Sequence, residues 1–291
     1  MCEDSARMSC LADVWQHLPE HISPDLFAIG AFHLRYYSLM YLVAFFVTYI
    51  LVSYRIKHDG YHYSLEHIQD YFMWAIAGLL LGARLGYVLF YQFDYYASNP
   101  LEILLPFDIK NGFRFVGISG MSYHGGAGGV LIASLIFCWK HKIDFWHFAD
   151  LFSSAVPLGY TFGRIGNFIN GELYGRVTTV PWGMYFPLDM THQLRHPSQL
   201  YEAFFEGIVL FVILWGLRKK KVFDGFLFGL YLIGYGITRF LIEFTREPDP
   251  QLGFIWASLS MGQLLCALMI LAGISILIYR HFTVSAGHQA R

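Results

Sequence analysis

Charge is scarce in this 291-residue sequence: 14% of its residues are Asp, Glu, Lys or Arg, while 56% are hydrophobic and the mean hydropathy is +0.43. Soluble domains carry about 25% charged residues, so a water-soluble globule is excluded. The formal net charge is −1, so there is no basic surplus and no nucleic-acid partner is expected. Alternation of apolar and polar residues at period two is missing, which excludes a transmembrane barrel. Of the four cysteines, Cys138 and Cys266 fall within apolar runs and Cys2 and Cys10 in the N-terminal tail, where a bridge stays open. Their spacing matches neither a disulfide framework nor a zinc set, and nothing in the sequence calls for a metal or a cofactor. Internal repeats, low-complexity tracts and soluble-domain linkers are absent as well. The first 30 residues lack a long apolar run and carry Glu3, Asp4, Asp13, Glu20 and Asp25 where a leader would be basic, so no cleavable signal peptide is expected.

What is present is a series of long apolar runs. Seven are long enough, at roughly 17 to 25 residues, to cross a bilayer as helices: Tyr36 to Val52, Tyr71 to Phe93, Met121 to Trp139, Phe148 to Ile169, Tyr201 to Leu217, Gly225 to Phe244 and Ile255 to Tyr279. The expected fold is an all-α integral membrane protein, one transmembrane domain over residues 1–291. Basic residues gather in alternate connections, at Arg55 and Lys57, Lys140 and Lys142, Arg218 to Lys221, and Arg280 with Arg291. By the positive-inside rule these face the cytoplasm. The N-terminus and the loops at about 94–120 and 170–200 then lie outside, and the C-terminus inside.

Polar residues inside apolar runs are the informative ones. Arg84, Arg164, Arg239 and Glu243 lie within spans, with Glu202 and Glu206 near the outer end of the fifth. An arginine at the centre of a membrane helix costs about 2.5–3.5 kcal/mol on insertion scales, so each needs a partner or a role. Arg84 is nearest mid-span and reads as partly structural. Arg239 and Glu243 are four residues apart on one helix face, and in GRIGNFINGE, Arg164 and Asn167 share another, with Glu172 just beyond the helix end. Two polar faces at one membrane depth suit a shared anionic ligand, and the planar fork of arginine suits phosphate. His124, in GISGMSYHGGAGGV, stands at the outer mouth of the third span, and its imidazole suits a general base. The glycines after it suit either helix packing or close approach of a ligand.

These segments resemble the bacterial phosphatidylglycerol:prolipoprotein diacylglyceryl transferases. GRIGNFINGELYG at 163–175 resembles the family signature throughout, and YYSLMYL at 36–42, SYHGG at 122–126, HPSQLYE at 196–202 and RFLIEFTREPD at 239–249 match in order. Ala127 departs from the leucine that often follows HGG in the family. The resemblance implies seven spans with the N-terminus outside, in the bacterial inner membrane. It implies transfer of the diacylglyceryl group of phosphatidylglycerol to the lipobox cysteine thiol of a prolipoprotein, giving a thioether and glycerol 1-phosphate. The expected partners are therefore phosphatidylglycerol, prolipoprotein signal peptides with a lipobox cysteine, and membrane lipids.

Carried onto this sequence, Arg164 and Arg239 would stabilise the leaving phosphate and His124 would take the thiol proton. Asn167 and Tyr37 would contact the headgroup, with Glu172, Glu243 and Gly175 in support. A transporter or channel built on buried Arg/Glu pairs is the alternative, but it calls for carboxylates strung through the membrane depth and helices broken in matching halves. A retinal-type receptor needs a lysine within a span, and all seven lysines lie outside the apolar runs. An intramembrane protease built on Ser119 of GISG would need a histidine from the later spans, which hold none.

Overall fold

The computed structural model describes residues 12–29, 32–103, 107–108, 114–115, 120–220, 222–247, 254–256 and 259–289. Cys2, Cys10 and Ser119 lie outside them. The chain is mostly helical, and five helices among the described residues are long and apolar enough to cross a membrane: Tyr36–His58, Leu65–Tyr91, Ser198–Leu217, Phe226–Thr245 and Met261–Thr283. The main helices are α1 (Tyr36–His58), α2 (Leu65–Tyr91), α3 (Tyr123–His141), α4 (Phe145–Ser153), α5 (Val156–Ile169), α6 (Ser198–Leu217), α7 (Phe226–Ile242) and α8 (Met261–Gln289). Among the described residues there are also three two-stranded antiparallel ribbons, the first pairing Asp25–Ile29 with Phe32–Arg35 directly ahead of α1. Contacts divide the chain into two compact units, Met1–Tyr61 with Ala149–Arg291, and His62–Phe148.

In the first unit α1 packs on α5, α5 on α6 and α7 on α8. Thr48, Val52 and Arg55 of α1 are buried at helical spacing, whereas Leu42, Phe46 and Ile50 point out. An apolar stripe outside, with Thr48 and Arg55 turned inward, is the pattern of a helix that faces lipid and hides its polar groups among its neighbours. The fourth expected span is two helices, α4 and α5. Pro157 has no N–H to offer the carbonyl four residues back, which opens the helix just ahead of it. The carbonyls freed at the end of α4 are taken by the fully buried Arg55, which donates to Asp150 O at 2.6 Å and Leu151 O at 2.7 Å. The Asp150 carboxylate in turn accepts from the backbone N–H of Gly225 and of Phe228, both at 2.9 Å, and so caps α7. One break thus joins three helices at this end of the unit.

Between α5 and α6 the chain folds around Phe168, Met184 and Phe186, with Leu18, Ile22, Tyr174 and Leu200 against them. Arg195 clasps Asp189 with two hydrogen bonds of 2.7 and 3.1 Å. Burial alone would raise the Asp189 carboxyl, but hydrogen bonds from Arg195, Thr191 and Gln193 hold it well below the usual carboxylate range. Its stabilisation is therefore complete above the unfolded value of about 3.9 and fades only as pH falls through the depressed one.

In the second unit α2 and α3 meet through glycines. A Cβ on Gly86 would lie 2.7 Å from the Gly125 Cα, a distance no real contact tolerates, so these glycines serve close backbone packing. Ser64 and Ser122 cap the two helices by accepting from His67 N and Gly125 N. Arg84 is buried and donates to Ile103 O and Glu102 O, each at 2.7 Å, with its guanidinium over the Tyr96 ring at 4.9 Å. Lysine keeps the charge but reaches from a single point. We expect Arg84→Lys to lower stability by about 2 kcal/mol, the worth of one hydrogen bond from a charged group. Thermal unfolding in detergent checks this, and a melt equal to the parent's would refute it.

Candidate active site

The end of α5 turns on two residues. Asn170 closes the helix and Gly171, at φ 68°, takes the left-handed conformation beyond it. Gly171 N then donates to Phe168 O at 3.0 Å and Glu172 N to Asn167 O at 3.1 Å, the paired bonds of a Schellman stop. The reversal brings Glu172 back over the last turn, where Asn167 Nδ2 donates to Glu172 Oε1 at 2.8 Å and Arg164 Nη1 donates to Asn167 Oδ1 at 3.1 Å. Arg164, Asn167 and Glu172 thus form one chain of hydrogen bonds, with Glu172 acting on Arg164 through Asn167.

Gly175 continues this turn into a crossing of three segments. Its N–H donates to His196 O at 2.8 Å and it bridges to Arg246. A Cβ at Gly175 would sit 2.8 Å from His196 Cβ and closer still to the Thr245 carbonyl, so only glycine fits. Arg176 Nε donates to Arg246 O at 2.5 Å, Ser198 Oγ to Leu173 O at 2.9 Å and Gln199 Nε2 to Glu172 O at 2.6 Å. The segments GRIGNFINGELYG, HPSQLYE and RFLIEFTRE therefore converge on one place.

Glu202, with no exposed surface, lies at that place. Its Oε2 is 2.9 Å from Arg164 Nε, and its Oε1 is 2.8 Å from Arg239 Nη1 and 2.6 Å from Arg246 Nη1. Arg239 Nη2 also reaches Glu243 at 3.2 Å, and Ser260 Oγ donates to Glu243 at 2.9 Å. Glu206, one turn on, accepts from the Tyr160 hydroxyl at 2.5 Å and lies 3.8 Å from Arg239 Nη1. The Arg164 guanidinium rests on the Tyr160 ring, 4.7 Å from its centre. Between Ala203 and Val209 the helix widens to π-helical turns, a distortion frequent at functional sites. The three arginine side chains stay 14–17% exposed while the carboxylate beneath them is sealed. Guanidiniums held on a sealed carboxylate and still partly exposed are groups able to donate to an anion such as phosphate.

Of the residues singled out from sequence, Arg164, Asn167, Glu172, Gly175, Arg239 and Glu243 are thus brought together. Tyr37 lies beside them on α1: a Cβ on Gly166 would be 3.3 Å from its ring, and its hydroxyl is 3.0 Å from that of Tyr41. His124 falls in the first turn of α3, in the second unit, and its side chain lies outside the described residues. Glu202 and Glu206 stand out in the sequence as charges near an apolar run without a role of their own, and Arg246 and Tyr160 carry no sequence signal that marks them. A glutamate deep in an apolar run was the available signal. Among the described residues no group of three or more His, Cys, Asp and Glu could hold a metal ion.

A helical membrane protein with three arginines gathered on one buried glutamate is the class these features define. The family model for prolipoprotein diacylglyceryl transferase matches residues 24–279. The phosphatidylglycerol–prolipoprotein diacylglyceryl transferase of Chlorobaculum tepidum is 56% identical over 266 residues, covering 91% of this chain and 92% of the relative. That of Wolinella succinogenes is 48% identical over 257 residues, covering 88% and 92%. The chain belongs to the prolipoprotein diacylglyceryl transferase family.

Proposed function

We propose that this chain transfers the diacylglyceryl group of phosphatidylglycerol to the lipobox cysteine thiol of prolipoproteins. The observation that carries the reading is the pair Arg164 and Arg239, both held on Glu202 with their side chains still partly exposed. In the reaction sulfur attacks the terminal glyceryl carbon and the bond from that carbon to the phosphate oxygen breaks. The oxygen stays with phosphorus, so the products are a thioether, glycerol 1-phosphate and the thiol proton. Negative charge gathers on the leaving phosphate, and guanidiniums already in place stabilise that charge more in the transition state than in the ground state. Asn167 and Tyr37 contact the headgroup, while Glu172, Glu243 and Gly175 support the arginines. His124 takes the thiol proton, since a thiol of pKa about 8.5 is only slightly ionised at neutral pH.

The reading places the protein in the bacterial inner membrane as one transmembrane domain. It has seven spans, the N-terminus and the loops at about 94–120 and 170–200 outside, and the C-terminus inside. Single cysteines near positions 110 and 220, in a background without the native four, test the orientation in intact cells. An impermeant thiol reagent is expected to label the first and spare the second; labelling of both would overturn the topology. The reaction is tested by mixing purified protein with phosphatidylglycerol and a lipobox peptide. Mass spectrometry is expected to show the peptide gaining one diacylglyceryl group. No gain from pH 6.5 to 9 would overturn the reading and send the search to flux in proteoliposomes.

A further inference from the structure

Three guanidiniums on one carboxylate are more than charge balance requires. Glu243 already pairs with Arg239 and lies 3.4 Å from Arg246, and Glu206 lies near Arg239. Among the described residues Glu202 alone touches all three, with both oxygens engaged and no exposed surface. It also receives these contacts from three separate segments: Arg164 from α5, Arg239 from α7 and Arg246 from the turn that follows α7. Nothing else links Arg164 to Arg239 directly among the described ion pairs.

We infer that Glu202 is a positioning residue, one that fixes the angle and spacing of Arg164 and Arg239 and gives up anion affinity to do so. The inference rests on the transferase reading above. Its negative charge beneath the arginines opposes an incoming phosphate, so the carboxylate weakens ground-state binding. What it supplies is rigidity: guanidiniums that need no reorganisation when charge develops on the leaving oxygen. A residue that contributed only to folding, or only to binding, would not separate these two effects.

Glu202→Gln keeps the size and hydrogen-bonding reach of the side chain and removes its charge. Equilibrium binding of phosphatidylglycerol in mixed micelles is expected to be unchanged or tighter, while kcat falls about 100-fold, on the scale of losing one preorganised transition-state contact. Parental kcat, or binding weakened about tenfold with kcat retained, would overturn the inference. Should this variant not fold, Glu202→Asp keeps the charge and shortens the reach. It is expected to lower kcat at least about tenfold with binding held within about twofold, and parental kcat there would be equally decisive against it. A parent protein without transfer activity overturns the function itself, whereas an active parent with an equally active Glu202→Gln variant overturns only the role given to Glu202.

Discussion

Arg239→Lys is expected to lose about 10²–10³-fold in kcat while still inserting and folding, the loss seen when one preorganised donor to a developing anion is removed. Lysine preserves the charge, so an effect of this size would come from geometry. Arg239 uses Nη1 toward Glu202 and Nη2 toward Glu243, and the fork lets it hold these partners and still present a donor to a phosphate. An ammonium group has one centre and must choose. Arg164 is held the same way, with Nε on Glu202 and Nη1 on Asn167, so Arg164→Lys is expected to follow. Diacylglyceryl transfer to a lipobox peptide, normalised to folded protein, is the measurement. Near-normal turnover in Arg239→Lys would remove the forked-phosphate argument and leave a role for charge alone.

His124→Gln is expected to slow transfer about 100-fold near pH 7, within the usual range for a general base, and to recover part of that loss as pH rises toward 9. The sign follows from the thiol. Below its pKa of about 8.5 the thiol needs a base to lose its proton, and above it ionises unaided. The parent already has a base to take the proton at pH 7 and gains less from the same change. Binding of phosphatidylglycerol is expected to change little. Rates for both proteins from about pH 6.5 to 9 decide the matter, because parallel profiles would rule out a base and leave His124 a packing or headgroup contact.

The turn that shapes the site was readable in one dimension. Asn170-Gly171 after an apolar helix is a local stop signal, and the reversal it makes returns Glu172 to Asn167 within the same turn. Arg239 and Glu243 share a helix face by spacing alone and do pair. The break before α5 had its own marker in Pro157, masked because the apolar run continues through it. Glu202 was different: it stood out as a charge in an apolar run, yet no spacing along the chain connects it to Arg164, 38 positions earlier, or to Arg246, 44 positions later.

Hydrophobic runs and helix stops are set by near neighbours, because the bilayer demands satisfied backbone groups along each span, and a polar residue in an apolar run stands out because its insertion costs most near the helix centre. From them the sequence by itself determined a helical membrane protein with arginines and carboxylates concentrated in a few segments. Which arginine meets which carboxylate was decided only by tertiary structure. The crossing of GRIGNFINGELYG, HPSQLYE and RFLIEFTRE at Gly175 brings Arg164, Arg239 and Arg246 onto Glu202. A hydrogen-bonded ion pair needs its atoms within about 4 Å, so its partners are chosen by the packing of whole helices and not by the order of residues along the chain.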